Sequence, residues 1–245
     1  MIKVEVCAGS VQDCIKAEKM GADQIELNSG IFMGGLTPSL GMLQMAKEKV
    51  SIPIYPMLRP RGGGFCYDEL EVENMRRDAH LFAKEDADGL VFGFLNEDRT
   101  INKTLTEEFV DICNSYGIES IFHRAFDNVV DPYEAIETLI EVGVTRILTS
   151  GLKNSAPEGA ALLKELQEKY GDQIELIAGA GINKDNVVSL VKTSNVSQVH
   201  ASFKVWEEDP TTSGDFVSYK FSDEGSYDVV DETKISEVVS LLKDL

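Results

Sequence analysis

Short apolar runs recur along the whole chain, and each one ends in charged, polar or glycine residues. Eight such runs occur, at residues 4–7, 24–28, 54–58, 90–92, 121–122, 147–148, 176–177 and 199. An apolar run is typical of a buried strand, but a polar group at its end carries a desolvation cost that packing alone does not explain. Eight polar ends that point the same way would form a functional site.

Helical patterns fill the intervals between these runs. They are predicted at 11–20, 37–46, 70–82, 105–116, 131–143 and 159–170, with a seventh that opens at 183–186 and a last one at 231–245. Their apolar residues have helical spacing, and several end at a glycine. Asp131 and Pro132 are typical of a helix start, as a cap followed by a proline in the first turn.

Strict alternation of strand and helix predicts a parallel sheet with right-handed crossovers. Eight such units predict an α/β chain that closes into a (β/α)8 TIM barrel, as a single domain over residues 1–245. The alternative is an open, doubly wound sheet. That fold usually carries a glycine-rich turn after its first strand, and residues 7–10 are a poor version of one.

One segment does not fit the repeating pattern. Residues 203–230, before the final helix, are polar and irregular and contain Pro210, Gly214 and Gly225. Loops of this length are uncommon in compact domains. We therefore expect the segment to be functional, to form an oligomer contact or to be partly disordered.

Composition narrows the classes of partner. The 245 residues carry a formal net charge of −19, which disfavours nucleic acid because that ligand requires clusters of lysine and arginine. A small anionic metabolite stays open, since a few local arginines can bind it. No apolar run is long enough to cross a bilayer, and the chain enters its first strand without a signal-peptide pattern, so a cytoplasmic protein is predicted.

The four cysteines do not form a recognisable zinc or redox motif. None of them has C-x-x-C spacing, and without a secretory signal no disulfide framework is expected. Cys14 and Cys113 lie in helical patterns and are predicted to be small core residues. Cys7 and Cys66 lie at or near strand ends and are candidates for function.

Two predicted strands each bring a carboxylate to the polar end. Glu5 and Cys7 share one face of the first strand, and Glu26 and Asn28 share one face of the second. Carboxylates held close together raise one pKa, which suits acid–base catalysis or cation binding. The structural alternative is a buried polar layer in which each glutamate pairs with an arginine or a lysine.

Arginine and histidine follow other strands. Arg59 and Arg61 precede three glycines and could bind a carboxylate or a phosphate in a two-point manner, or be paired with Glu5 or Glu26. His123 and Asp127 would lie on the same side of an extended strand as a proton-transfer unit. His200 follows the eighth run, and with the carboxylates and Arg59 it completes the candidate catalytic set.

Glycine turns end the later strands. Ser150, Gly151, Gly179 and Gly181 would offer backbone N–H groups at helix starts, which is a common phosphate site in this fold. The alternative is that these glycines are needed only for tight turns between strand and helix.

These segments together resemble the CutC copper-homeostasis family. The resemblance lies in residues 5–7, 21–27, 34–39, 59–63, 122–127, 146–151 and 179–182. It implies a TIM barrel, a cytoplasmic setting, a role in copper handling and a homo-oligomer, as a dimer or larger. The family's copper interpretation depends on inward-facing cysteines near the ends of the first two strands.

Cys7 matches the first of those positions, but Asn28 stands at the second, where related sequences often carry cysteine. Copper(I) prefers sulfur ligands, so a single thiolate makes a weak site unless Met33, Met57 or Cys66 lies near. The resemblance nevertheless implies copper binding or handling, and this is the function that we predict. Its alternative is an enzyme that acts on a small phosphorylated or carboxylated metabolite by acid–base chemistry at the strand ends. A scaffold that uses residues 203–230 as a contact surface is a third hypothesis.

Overall fold

The computed structural model describes residues 2–243 and 245, and eight parallel strands dominate it. The strands are β1 (Lys3–Ala8), β2 (Gln24–Leu27), β3 (Ile54–Pro56), β4 (Gly89–Phe92), β5 (Glu119–Phe122), β6 (Arg146–Thr149), β7 (Glu175–Gly179) and β8 (Gln198–Ala201). The helices are α1 (Val11–Lys19), α2 (Leu40–Lys49), α3 (Glu69–Lys84), α4 (Lys103–Tyr116), α5 (Pro132–Glu141), α6 (Ala160–Tyr170), α7 (Val187–Ser194) and α8 (Glu232–Lys243). Short 3-10 helices lie at Ile31–Met33 and Arg124–Asn128.

The strands form a nearly closed cylinder. They pair in the order β3-β2-β1-β8-β7-β6-β5-β4, and each named pair is parallel. The two ends of this sheet meet through a bridge between Met57 and Val91, beside which the Leu58 N–H donates to the Val91 carbonyl at 2.7 Å. The TIM-barrel prediction is confirmed, and the open sheet is excluded by this contact.

Local sequence explains where the helices begin. Ser10, Ser39 and Asp131 each accept a backbone N–H in the first turn of their helix, and Asp68 forms a reciprocal capping box with Glu71. The predicted bounds differ from these helices by a few residues. The largest difference is at α7, because the Asn183 N–H donates to the Asn186 side chain and residues 183–186 form a turn before the helix.

The barrel interior has an apolar layer and a polar layer. The apolar layer is a separate cluster of inward-facing side chains: Tyr55, Met57, Val91, Ile121, Leu148 and Ile177. In the polar layer, near the strand starts, Gln24 donates to Glu5 at 2.8 Å and to Gln198 at 3.1 Å. Arg146 is bonded to Glu119 there and lies over the Tyr55 ring. Glu5 thus belongs to a buried polar layer, but its partner in that layer is an amide and not the expected arginine or lysine.

The irregular segment before α8 is partly a β-hairpin. Strands β9 (Lys204–Glu207) and β10 (Tyr227–Val230) pair in antiparallel fashion and enclose residues 208–226. The buried Asp13 of α1 accepts the Val230 N–H at 2.9 Å and the Gly9 N–H at 3.2 Å, so one carboxylate ties the hairpin to the barrel. Phe221 stacks on Phe32 at 4.8 Å and connects the segment to the loop after β2.

Within the described part of the chain, no helix has both the length and the apolar character that crossing a membrane requires.

Replacing Asp13 with alanine tests how the hairpin is held. The Val230 N–H is buried and would lose its acceptor, and hydrogen bonds to charged groups contribute roughly 1.5–3 kcal/mol each. We expect the free energy of unfolding, measured by urea denaturation, to fall by about that amount in Asp13→Ala. Glu232→Ala, which breaks only an exposed pair with Lys19, is the control and should cost less than about 1 kcal/mol. Equal losses in both variants would contradict this account of the hairpin.

Candidate metal site in the barrel mouth

A cavity of about 430 Å³ opens at the carboxyl ends of the strands. Inward-facing side chains from several strands and loops line it. Those from strands and from the residues directly after them include Cys7, Glu26, Met57, Arg59, His123, Leu148 and His200. Six of the predicted site residues, from five strands and the loops after them, therefore meet at this rim: Cys7, Glu26, Arg59, His123, Asp127 and His200.

Cys7, Glu26 and His200 form a compact group inside this cavity. One ligand atom from each, the thiol sulfur, a carboxylate oxygen and an imidazole nitrogen, lies within 4.8 Å of the other two. The strand register produces this grouping, because Cys7 pairs with Glu26 across β1 and β2 and Glu5 pairs with His200 across β1 and β8. Three adjacent strands thus supply a donor set that could hold a metal ion.

Buried polar neighbours orient these three side chains. His200 Nδ1 is 2.7 Å from Glu5 Oε1, which turns Nε2 toward Glu26 Oε2 at 3.9 Å. Asn28 Nδ2 donates to Glu26 Oε2 at 2.7 Å and contacts the Cys7 sulfur at 3.4 Å. A carboxylate behind a histidine is the arrangement that fixes an imidazole for metal binding.

Burial and charge change the acidity of each member of the cluster. Burial raises the pKa of the Cys7 thiol well above its ordinary value, and the neighbouring Glu26 adds to this effect. Burial likewise raises the pKa of Glu26, against the opposing charge of His200. For His200, burial alone would lower the pKa, but the charge of Glu26 and the hydrogen bond with Glu5 outweigh it, and the pKa is raised. A metal ion would therefore displace protons from this cluster.

His123 is a neutral imidazole in the cavity wall. Burial, together with the positive charge of Arg59, lowers the pKa of His123 to about 3. Its Nδ1 accepts the Ala125 N–H at 3.1 Å, so the ring proton lies on Nε2. That Nε2–H is buried and has no hydrogen-bond partner within the described residues. The structure gives His123 no bond to Asp127, with which the sequence suggested a proton-transfer unit.

The two predicted arginines have different surroundings. Arg59 is buried and donates to the backbone carbonyls of Met33, Gly35 and Gly63, so it holds the loops after β2 and β3 together. Its Nε has no partner in the described part of the chain. Arg61 pairs with Glu71 and lies outside the cavity lining. The alternative suggested by the sequence, in which an arginine pairs with Glu5 or Glu26, is wrong for both arginines.

Asp127 and Ser150 are engaged with each other. Asp127 accepts the Thr149 hydroxyl at 2.6 Å, the Ser150 N–H at 2.9 Å and the Leu152 N–H at 3.3 Å. The Ser150 hydroxyl donates within this network, and the Gly151 N–H donates to Thr149. These groups are thus occupied in closing the loop after β6, which corrects the prediction that Ser150 and Gly151 offer free N–H groups to a phosphate.

The two glycines after β7 have different roles. A Cβ at Gly179 would lie 2.6 Å from the Leu148 side chain, so this glycine is needed for close packing. Gly181 lines the cavity with a positive φ of 69°. Ala180, between them, also has a positive φ, of 80°, which is an uncommon conformation for a residue with a side chain.

Some residues of the cavity were not singled out from the sequence. Phe65 lies 4.9 Å from the His123 ring and covers it, and Met57 is the one sulfur among the three proposed alternatives that lines the cavity. The sequence named Met57 only as one of three possible second sulfurs, and side-chain alternation from the inward Tyr55, two residues earlier, favours it over the other two. Phe65 lies in a loop, where no periodicity marks direction.

Comparisons with known proteins identify relatives of this chain. The CutC family model matches residues 2–205. The family protein CutC of Treponema denticola is 41% identical over 245 residues, which is 100% of this chain and 99% of that protein. The human copper homeostasis protein cutC homolog is 45% identical over 199 residues, which is 81% of this chain and 72% of that protein.

Solved structures with a similar fold include a member of the same family. The crystal structure of a CutC protein from Streptococcus agalactiae superposes with a TM-score of 0.77 at 31% identity, and the match covers 82% of this chain and 99% of that chain. Phosphoribosylanthranilate isomerase from Pyrococcus furiosus matches 100% of both chains with a TM-score of 0.58 but is 14% identical, which shows a shared fold only.

Replacing Glu5 with glutamine tests the orientation of His200. Without the Glu5 carboxylate, the imidazolium loses a hydrogen bond to an anion, so the pKa of His200 should fall. NMR titration of the histidine ring protons measures this change. His123 is an internal control, because its pKa of about 3 keeps its signal constant between pH 5 and 8. An unchanged titration of His200 in Glu5→Gln would show that the contact with Glu5 has no electrostatic effect.

Proposed function

Because the chain belongs to the CutC family, we propose that it handles copper and that Cys7, Glu26 and His200 hold the ion as copper(I) in the barrel mouth. The observation that carries this proposal is the convergence of a thiol, an imidazole and a carboxylate within 4.8 Å. Relatives that share 45% of their aligned residues with this chain bear the name copper homeostasis protein.

The donor chemistry fits copper better than it fits a hard cation. Thiolate is the ligand that copper(I) prefers, and imidazole suits copper in either oxidation state. Magnesium and calcium require oxygen ligands, and only Glu26 offers one here. The buried Glu26 Oε1 has no hydrogen-bond partner in the described part of the chain, so the carboxylate retains an acceptor for an ion.

The single thiol indicates reversible binding. Asn28 occupies the position where a second cysteine is expected and contacts the Cys7 sulfur through its amide. A copper(I) site with one sulfur binds more weakly than one with two. Met57 lines the same cavity and is a candidate for an added thioether ligand. We propose that the protein binds copper as an exchangeable cargo.

We also propose a cytoplasmic setting and a homo-oligomeric state for this protein. All four cysteines are unpaired, which suits a reducing compartment. Exposed aromatic side chains of the 208–226 segment, such as Phe216 and Tyr219, support a contact between subunits. The cytoplasmic setting and the oligomeric state both stay predictions. Size-exclusion chromatography with light scattering tests the oligomeric state.

Removing the Cys7 sulfur should weaken copper(I) binding. In competition with a chromophoric chelator, we expect the affinity of Cys7→Ser to fall by more than about tenfold, or about 1.4 kcal/mol. Cys66→Ser is the matched control, because Cys66 is exposed and lies outside the cavity lining. Equal binding by the wild type and Cys7→Ser would reject this site.

Copper affinity should also depend strongly on pH. The pKa values of Cys7 and His200 are both raised, so the ion competes with protons for both groups. Each displaced proton changes the affinity by about tenfold per pH unit. We expect binding to weaken steadily from pH 8 to pH 6, with a smaller slope in Cys7→Ser. An affinity that does not change over this range would contradict the assignment of the ligands.

A further inference from the structure

The copper cluster leaves several hydrogen-bond donors of the cavity unused. His123 Nε2–H and Arg59 Nε–H are buried in the wall opposite β1 and have no partner within the described residues. A buried donor without an acceptor costs free energy, roughly 1–3 kcal/mol. Buried donors without a partner need an explanation. A ligand oxygen that accepts their hydrogen bonds would provide one.

A second group of unpaired donors lies at the rim, where β7 and β8 end. The backbone N–H groups of Gly181 and Ile182 have no acceptor in the described part of the chain, and neither has the Ser202 hydroxyl a partner there. All three residues line the cavity. The loops after the seventh and eighth strands are a frequent phosphate site in this fold, because backbone N–H groups converge there.

The electrostatics of this rim favour an anion. A groove of about 440 Å³ adjoins the cavity and shares Gly181, Ile182 and Ser202 with it. Its charged lining residues are Lys184, Lys204, Lys234, Asp185 and Glu237. Lys184 is paired with Glu237, whereas Lys204 and Lys234 have no ion-pair partner among the residues that the structure describes. The Lys234 ammonium donates to the Lys204 carbonyl at 2.8 Å, and the Lys204 ammonium lies over the Trp206 ring. Three lysines against two carboxylates leave this groove with a small excess of positive charge, on a chain whose net charge is −19.

The alternative anion sites are already filled. Arg61 is paired with Glu71, and the N–H and hydroxyl groups of Ser150 are bonded to Asp127. A phosphate carries about −1.5 to −2 charges and three acceptor oxygens, which matches several converging donors better than a carboxylate does. The rim after β7 and β8 is therefore the place where a phosphate fits.

We propose that this cavity binds a small phosphorylated carbonyl compound. Its phosphate lies at the Gly181, Ile182 and Ser202 rim, and its carbonyl oxygen accepts the Nε2–H of His123. A neutral imidazole suits this role, since it donates a hydrogen bond without competing for a proton. A volume of about 430 Å³ lies within the range of small-molecule sites.

The proposal is independent of the copper site, because it uses none of the copper donors. Phe65 covers His123 from a loop that contains three consecutive glycines, Gly62 to Gly64, and displacement of this ring is the movement that ligand entry requires. Cys7 contributes nothing to the phosphate or to the carbonyl contact. A Cys7→Ser protein therefore separates a failure of one site from a failure of the other.

Isothermal titration calorimetry of the metal-free protein with dihydroxyacetone phosphate, at low salt concentration, tests the proposal. We expect saturable binding by the wild type and by Cys7→Ser, and binding at least tenfold weaker for dihydroxyacetone, which lacks the phosphate. Inorganic phosphate should also bind at least tenfold more weakly, because it cannot reach His123. Absence of saturable heat with dihydroxyacetone phosphate, or equal affinity for inorganic phosphate, would overturn the proposal.

Variants locate the two ends of the ligand. His123→Asp retains an acceptor for the Ala125 N–H, so the turn is preserved, but it removes the donor and should weaken binding at least tenfold. The double variant Lys204→Gln and Lys234→Gln should lower the affinity for dihydroxyacetone phosphate, because the phosphate loses two nearby positive charges. The affinity of this variant should also depend less on salt concentration. His80→Asn and Lys103→Gln, on α3 and α4, are the controls and should bind as the wild type does. Wild-type affinity in both cavity variants would overturn the assignment.

Discussion

A buried hydrogen bond between Glu5 and His200 connects the barrel interior to the barrel mouth. Taking a carboxylate and an imidazole out of water is costly unless each is paired and hydrogen-bonded. Here Glu5 has Gln24 on one side and His200 on the other, at 2.8 and 2.7 Å. The position of His200, and with it the geometry of the candidate metal site, depends on a polar layer that the barrel would not need for packing.

The same logic explains the two faces of the cavity. On the side of β1, β2 and β8, burial raises the pKa values of Cys7 and Glu26. Against the opposing effect of burial, the negative charge of Glu26 and the hydrogen bond with Glu5 raise the pKa of His200. On the opposite side, burial and the positive charge of Arg59 lower the pKa of His123 and keep it neutral. One wall of the cavity thus carries groups whose protons a cation could displace. The opposite wall carries the hydrogen-bond donors of His123 and Arg59.

The sequence was sufficient for the architecture and for the rim residues. Strand and helix alternation predicts the barrel because each element has its own periodicity, and the polar ends of apolar strands meet wherever parallel strands close. The hydrogen-bond and ion-pair partners of these residues could not be predicted in the same way. They depend on loop conformation, which residue spacing does not encode. Examples are the three carbonyls bound by Arg59, the ion pair of Arg61 with Glu71 and the hydrogen bonds of Asp127 around Ser150.

The cylinder is not equally strong around its circumference. Seven neighbouring strand pairs form ladders, whereas β3 and β4 meet through the bridge of Met57 and Val91 and two backbone hydrogen bonds, from Leu58 to Val91 and from Asp88 to Ile54. Local opening begins where the fewest backbone hydrogen bonds must break. Cys7, Glu26 and His200 lie on the continuous arc of β8, β1 and β2, away from this seam, whereas Arg59 follows β3 at its edge and His123 follows β5, one strand beyond it. Opening of the barrel at this seam would therefore widen the wall that carries Arg59 and His123 and leave the candidate metal site unchanged.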